Sequence, residues 1–108
     1  MPASVPAAPN RLEIIERGPN SVAVRGEIDA HSAPSLAERL ALLSADDGVV
    51  RIDLSDVTFM DSSGLRVLIE LSQRVGTSPN ALVIQSPSQT VLHLFEVAGL
   101  DDHFTVDR

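Results

Sequence analysis

The change of hydrophobic period along the chain constrains the fold more than any other feature of the sequence. Two short segments with apolar residues at every second position flank Gly18-Pro19-Asn20, a run of turn-forming residues. This pattern predicts a β-hairpin, and its alternating apolar residues are Leu12, Ile14, Val22 and Val24. From Ser32 onward the period changes to that of an amphipathic helix.

Helical and strand-like patterns then alternate to the end of the chain. Segment 32–44 predicts a helix capped by Ser32, with Pro34 tolerated in its first turn and Asp46-Asp47-Gly48 breaking it. The later segments are a buried strand at 49–54, a helix with Leu65, Leu68, Ile69 and Val75 on one face that ends near Gly76 and Pro79, a strand at 81–84, a helix at 89–98 closed by Gly99, and a weak strand at 104–106. We therefore predict an α/β domain of order β-β-α-β-α-β-α-β, with a mostly parallel central sheet of about four to five strands.

Composition excludes several classes of function. The 108 residues carry a net charge of −7, which argues against nucleic-acid or anionic-membrane partners, because neutralising phosphates requires clustered basic side chains. The chain has no cysteine, so disulfides, thiol catalysis and Fe–S ligation are excluded. Residues 1–10 predict a flexible tail rich in Pro and Ala, and residues 11–108 predict one domain. With no signal-peptide pattern and no apolar run near the ~20 residues that cross a bilayer, we expect a cytoplasmic protein.

The run FMDSSGL, residues 59–65, lies at a predicted strand-to-helix junction. Taken alone, its residues favour a helix cap, in which Asp61 or Ser62 accepts a first-turn N–H at a worth of ~1 kcal/mol and Gly64 relieves packing. Two features go beyond a cap. Three side-chain acceptors stand in a row where one suffices, and open α/β sheets place functional groups beyond the carboxyl ends of central strands. The positive end of the helix could also accommodate a phosphate on Ser62.

Three segments resemble the STAS-domain anti-anti-sigma factors. They are DLSDVTFMDSSGLRVLIEL at 53–71, GEIDAHSAPSL at 26–36 and HLFEVAGLDDHF at 93–104, so the resemblance covers nearly the whole chain from about Leu12 onward. The resemblance implies the STAS fold and the function of an anti-sigma factor antagonist.

The resemblance also implies a phosphorylation switch. In that family the unmodified antagonist binds an anti-sigma factor that is itself a serine kinase, which frees the sigma factor. The kinase then phosphorylates and releases the antagonist, and a PP2C-type phosphatase restores it. By their positions in the motifs, Ser62 matches the accepting serine, Ser63 its companion, and Asp29 the acidic residue of the neighbouring loop. Asp61, Ser63, Gly64 and Asp29 are then expected to support the switch loop, and Asp29 or Asp61 to orient the Ser62 hydroxyl; each aspartate is about equally often a plain turn or capping residue.

The kinase would supply the catalytic base, the Mg²⁺ ligands and the nucleotide pocket, because this sequence has no Gly-rich phosphate loop. We therefore predict a protein that is not an enzyme and has no cofactor or metal of its own. Partner contacts are expected from His31, Met60, Leu65 and Arg66, with solvation of the outer helix face as the alternative role for Arg66. We expect a monomer, with a weak dimer as the alternative.

Three alternative functions remain open. A serine hydrolase would use Ser62 or Ser63 with His31, His93 or His103 as the base, but the sequence lacks the G-x-S-x-G elbow. A metal site at Asp46-Asp47 or Asp101-Asp102-His103 lacks ligand spacing on a common element. The third alternative is a STAS domain that acts without phosphorylation, as a stressosome-type scaffold or as a partner of a lipid-transport ATPase.

Overall fold

A computed structural model describes residues 12–43, 48–75, 81–100 and 102–108. Several features predicted from the sequence lie outside these ranges. They are the tail at 1–10, the break at Asp46-Asp47, the helix end near Gly76 and Pro79, and Asp101.

The described elements follow the predicted order β-β-α-β-α-β-α-β. They are β1 (Leu12–Gly18), β2 (Ser21–Ile28), α1 (Ala33–Leu40), β3 (Val50–Met60), α2 (Ser62–Val75), β4 (Leu82–Gln85), α3 (Gln89–Val97) and β5 (Thr105–Asp107). The five strands form one sheet in the order β1-β2-β3-β4-β5. Only the β1–β2 pair is antiparallel, and the other three pairs are parallel. The predicted fold class and the predicted hairpin are both confirmed.

One face of the sheet carries the core. Paired positions place Val22 beside Ile52, and Ile52 beside Ile84, and each of these side chains is at most 3% exposed. Buried residues from all three helices join the same apolar cluster, including Leu36 of α1, Leu68 of α2 and Phe95 of α3. The helices therefore pack on this face, and α1 and α2 do so through the apolar stripes that their period predicted.

The opposite face of the sheet is built from ion pairs. Arg17 of β1 contacts Asp53 of β3 at 2.7 Å, and Arg25 of β2 lies 3.5 Å from Asp56. Burial raises the pKa of the Asp53 carboxyl, but hydrogen bonds from Ser55 and from Arg17 outweigh this effect and hold the pKa below its usual value. Alternate residues of the same strands thus serve two different environments, as the two-residue period of a strand requires.

Helix α1 is shorter than the predicted 32–44. Two carbonyls at its carboxyl end, those of Leu40 and Leu43, accept hydrogen bonds from the Arg74 guanidinium of α2 at 2.7 and 2.9 Å. The Leu40 carbonyl also accepts from the Leu43 N–H, so the charged donor of α2 reinforces a turn that already closes α1. Ser32 holds the N-cap position but makes no side-chain cap hydrogen bond, and Pro34 lies in the first turn as expected. The predicted N-cap position of Ser32 is therefore confirmed, but its hydroxyl donates to the carbonyl of Glu27 instead of accepting from the first turn of α1.

Strand β3 is much longer than the predicted 49–54. Its buried positions are 50, 52, 54, 57 and 60, so the spacing changes from two residues to three. The register with β2 shifts twice along this stretch, once after the pair Ala23–Asp53 and once after the pair Gly26–Val57. Each shift inserts an extra residue into β3 as a bulge, which is why the simple alternation ends at Leu54.

Beyond Asp53 the strand has no pairing with β4, and Ser88 takes over there. The Ser88 N–H donates to the carbonyl of Leu54, and its hydroxyl donates to the carbonyl of Val57 at 2.8 Å. The same hydroxyl accepts from the Val91 N–H at the start of α3. Ser88 thus caps α3 and supplies hydrogen-bond donors to the part of β3 that β4 does not pair with. This part of β3 leads into the FMDSSGL run.

Candidate functional site

Ser62 is the first residue of α2 and is exposed. Asp61 precedes it, and the Asp61 carboxylate accepts a hydrogen bond from the Ser63 N–H at 2.8 Å, so Asp61 is the capping residue. The Asp61 N–H donates in turn to the carbonyl of Ile28, which joins this helix start to the end of β2. Within the described residues, the Ser62 hydroxyl makes no hydrogen bond, so the structure does not use it to hold the loop.

Gly64 lies where α2 crosses closely over the ends of β2 and β3. A Cβ atom at this position would stand 2.7 Å from the Cγ of Met60 and 2.8 Å from the Cγ2 of Ile28. Both distances are far below van der Waals contact, so only glycine fits without a shift. Gly64 therefore sets how near the helix start, and with it Ser62, lies to the sheet.

Met60 and Leu65 occupy positions different from those expected. Met60 is 4% exposed and Leu65 is 6% exposed, and both belong to the apolar core. Side chains buried to this extent present little surface to a partner, in contrast to the exposed rim position that the sequence suggested. Their role is to fix the underside of the loop, because they anchor the residues on either side of the Asp61-Ser62-Ser63 run.

Asp29 organises the adjacent β2–α1 loop. Its carboxylate accepts from the N–H groups of Ser32 at 2.9 Å and His31 at 3.0 Å, and its own N–H donates to the Ser32 hydroxyl. The Ser32 N–H does most to lower the pKa of the Asp29 carboxyl, partial desolvation opposes it, and the remaining contacts with Ser32 and His31 lower it further. Neither Asp29 nor Asp61 hydrogen bonds to Ser62, so the expected orienting role is replaced by two separate loop-capping roles.

A groove runs between the start of α2 and the start of α1. Its volume is ≈ 400 Å³, and its lining residues are Ala30, Ala33, Pro34, Ala37, Ser62, Ser63, Arg66 and Val67. The α1 side offers only small apolar side chains, whereas the α2 side offers two hydroxyls and one guanidinium. The exposed Ser62 thus lines the same groove as Arg66, and its hydroxyl makes no hydrogen bond with the described residues.

The three histidines do not form a hydrolase site with these serines. His31 is exposed on the β2–α1 loop, His93 is exposed on α3, and the His103 ring lies 3.3 Å from the hydroxyl of Ser72. In the described part of the chain, no histidine hydrogen bonds to Ser62 or Ser63. The arrangement therefore does not show the nucleophile–histidine hydrogen bond that the hydrolase hypothesis requires.

Phe59 is a surface residue that the sequence did not single out. Its side chain is 46% exposed at the end of β3, two residues before Asp61. Adjacent residues of a strand point to opposite faces of the sheet, so an exposed Phe59 follows from a buried Met60 if β3 continues past Leu54. The exposure of Phe59 could therefore be predicted only with the full length of β3.

Neither a metal nor a membrane is indicated by the residues that the structure covers. Across 12–43, 48–75, 81–100 and 102–108, no group of three or more His, Asp or Glu side chains is placed to hold an ion. In the same ranges no helix combines the length and the apolar character that a bilayer span requires.

The fold and the site define a one-domain α/β protein with an exposed serine at the carboxyl end of a central strand. The chain belongs to the STAS-domain family, because the model of that domain matches residues 13–108. It is 38% identical over 94 residues to an anti-sigma-B factor antagonist of Listeria monocytogenes, covering 84% of this chain and 82% of that protein. It is also 38% identical over 81 residues to the anti-sigma-B factor antagonist of Bacillus subtilis, covering 75% and 74%. The crystal structure of an anti-sigma factor antagonist from Mycobacterium paratuberculosis matches with a TM-score of 0.74 and 26% identity, covering 89% of this chain and 83% of that one.

Proposed function

We propose that this protein is an anti-sigma factor antagonist that is controlled by phosphorylation of Ser62. The unmodified form binds an anti-sigma factor that is also a serine kinase, and so frees the sigma factor. Phosphorylation ends this binding, and a PP2C-type phosphatase restores it. Two relatives that match most of the chain are named anti-sigma-B factor antagonists, which supports a regulatory binding protein rather than an enzyme.

The observation that carries the proposal is the state of the Ser62 hydroxyl. It is exposed, it makes no hydrogen bond in the described structure, and it stands on a helix start that is already capped by Asp61. Phosphoryl transfer asks of its acceptor only a reachable hydroxyl in line with the γ-phosphate. The neighbouring Ser63 is half-buried, so it is the poorer acceptor of the two.

Phosphorylation is expected to act on the surface and to leave the fold intact. The exposed Ser62 hydroxyl makes no hydrogen bond with any described residue, so a phosphate there breaks none. It adds between one and two negative charges to the groove that Ser62 shares with the exposed Arg66. A partner docked over this face would meet a desolvated dianion, which accounts for release.

The first experiment incubates the purified protein with a candidate anti-sigma factor kinase, ATP and Mg²⁺, and locates phosphate by mass spectrometry. We expect one phosphate, on Ser62. Ser63→Ala is the matched control and should be phosphorylated like the parent protein, whereas Ser62→Ala should not be phosphorylated. A phosphate on Ser63, or none with any kinase that binds the protein, contradicts the proposal.

The second experiment measures binding to the same kinase. Ser62→Ala should bind it and stay bound when ATP is added, because the release step is blocked. Ser62→Asp should bind at least tenfold more weakly, equivalent to ~1.4 kcal/mol. Binding of Ser62→Asp as tight as that of the parent protein would be incompatible with a switch at this residue.

A further inference from the structure

Arg66 is an arginine without a partner in the described structure. Five others hold ion pairs or carbonyl groups, namely Arg17, Arg25, Arg39, Arg51 and Arg74. Arg66 makes no hydrogen bond and no ion pair with any described residue, although Glu70 lies one turn farther along the same helix. Its exposed guanidinium lines the same groove as Ser62 and Ser63.

The first turn of α2 has few N–H groups left for a phosphate on Ser62. The Ser63 N–H already donates to the Asp61 carboxylate, and the N–H groups of Gly64 and Leu65 both donate to the Asp61 carbonyl. The local charge is also unfavourable, since Asp61 adjoins Ser62 and Asp29 lies on the neighbouring loop next to Ile28, to which Asp61 is hydrogen bonded. A side-chain cation is therefore the group that would do most to stabilise a phosphoserine at this position.

Arg66 has the right spacing and direction to supply that cation. Residues four apart on a helix have Cβ atoms roughly 5–6 Å apart, and long helical side chains lean towards the amino end, which for Arg66 is towards Ser62. An acidic group on the amino-terminal side of a basic one is the better orientation for such a pair. Glu70 lies on the other side of Arg66, in the poorer orientation, and it forms no ion pair with it in the structure.

We propose that Arg66 closes on the phosphate of phosphorylated Ser62 and forms an intramolecular, bidentate pair across one helical turn. The proposal rests on Ser62 phosphorylation as the proposed function. It assigns Arg66 two states: a free guanidinium that can meet an acidic group of the partner before modification, and a phosphate-bound one afterwards. Phosphorylation then both adds negative charge and withdraws a cation from the partner-facing groove, and a planar guanidinium suits the two oxygens better than an ammonium would.

The test installs phosphoserine at position 62 during translation, so that no kinase is required. The second ionisation of the phosphate, which has a pKa of about 6 in an unperturbed phosphoserine, is followed by ³¹P NMR as the pH is varied. In an Arg66→Gln protein we expect the midpoint to rise by about half a unit, because loss of an adjacent cation disfavours the dianion. Arg66→Lys should raise the phosphate pKa by less, because lysine keeps the positive charge but lacks the two parallel N–H donors of the guanidinium.

Two controls separate a specific pair from general electrostatics. Arg25→Gln removes the same charge from the ion-paired face of the sheet and should leave the phosphate midpoint unchanged. A His31→Gln background removes the imidazole of the neighbouring β2–α1 loop, while Asp29, Asp61 and Glu70 are the same in every protein compared. If Arg66→Gln and Arg25→Gln titrate alike, the proposal is wrong. That result would not affect the proposal that Ser62 is phosphorylated by a kinase. Conversely, if no kinase modifies Ser62, the phosphorylation switch is wrong, but the Arg66–phosphate pair measured in the phosphoserine protein still holds.

Discussion

The close approach at Gly64 predicts an unusual response to a Gly→Ala substitution in a helix. Elsewhere in a helix this change stabilises a protein by up to about 1 kcal/mol, because alanine has the higher helix propensity. At Gly64 the new Cβ would lie 2.7 Å from Met60 and 2.8 Å from Ile28, and both neighbours are buried. Overpacking of this kind costs about 1–3 kcal/mol, so we expect a net loss of about 1 kcal/mol in the free energy of unfolding.

The assay is urea denaturation followed by circular dichroism, with a control pair in the same helix. Glu70 is exposed in the middle of α2, so the difference between Glu70→Ala and Glu70→Gly measures the propensity term without packing. Subtracting that term from the effect of Gly64→Ala gives the steric cost, and Gly64→Val should cost more still. The opposite result is that Gly64→Ala raises the free energy of unfolding by as much as Glu70→Ala exceeds Glu70→Gly. In that case the close approach does not govern the position of α2.

Three further predictions concern the residues around this helix start. Ser88→Ala should lower the free energy of unfolding by about 1–2 kcal/mol, because it removes the cap of α3 and the donor to the Val57 carbonyl; Ser88→Thr should retain most of it in the same urea assay. Asp61→Ala should cost about 1 kcal/mol, whereas Ser62→Ala should change stability by less than ~0.5 kcal/mol, which separates the cap from the switch residue. The pKa of the Asp29 carboxyl is lowered in the folded protein, so this group stabilises the fold above the reference pKa of 3.8, and the stabilisation is lost as the pH falls through the folded pKa. The difference in the free energy of unfolding between the parent protein and Asp29→Asn should therefore disappear in acid. A difference that is constant with pH would contradict this prediction.

Most of the fold could be predicted from the sequence because the elements are defined by local patterns. The period-two runs on either side of Gly18-Pro19-Asn20 predicted the hairpin, and the helical period predicted α1 and α2. Gly99 marked the end of α3, where it has a φ of +73°. The position of Ser62 at the start of α2 could also be predicted, because capping residues followed by helical spacing of apolar residues indicate where a helix begins.

The errors came from contacts between elements that lie far apart in the sequence. Arg74 of α2 holds the Leu40 and Leu43 carbonyls where α1 ends earlier than predicted. Strand β3 keeps its buried residues facing the core across two bulges against β2. No local pattern reports either event, because each depends on a partner more than 20 residues away. The same is true of Met60, which looks like a loop residue until β3 is known to reach it.

The sequence by itself determined the order of elements, the mostly parallel sheet and the serine at the start of α2, since each follows from period, turn chemistry and caps within a few residues. Only the tertiary structure decided what surrounds that serine. It buried Met60 beneath Gly64, engaged Asp29 in its own loop, and left Arg66 free beside Ser62 in a groove walled by α1. These outcomes depend on how closely α2 packs on the sheet and on which donors are already taken, and both are properties of the assembled core.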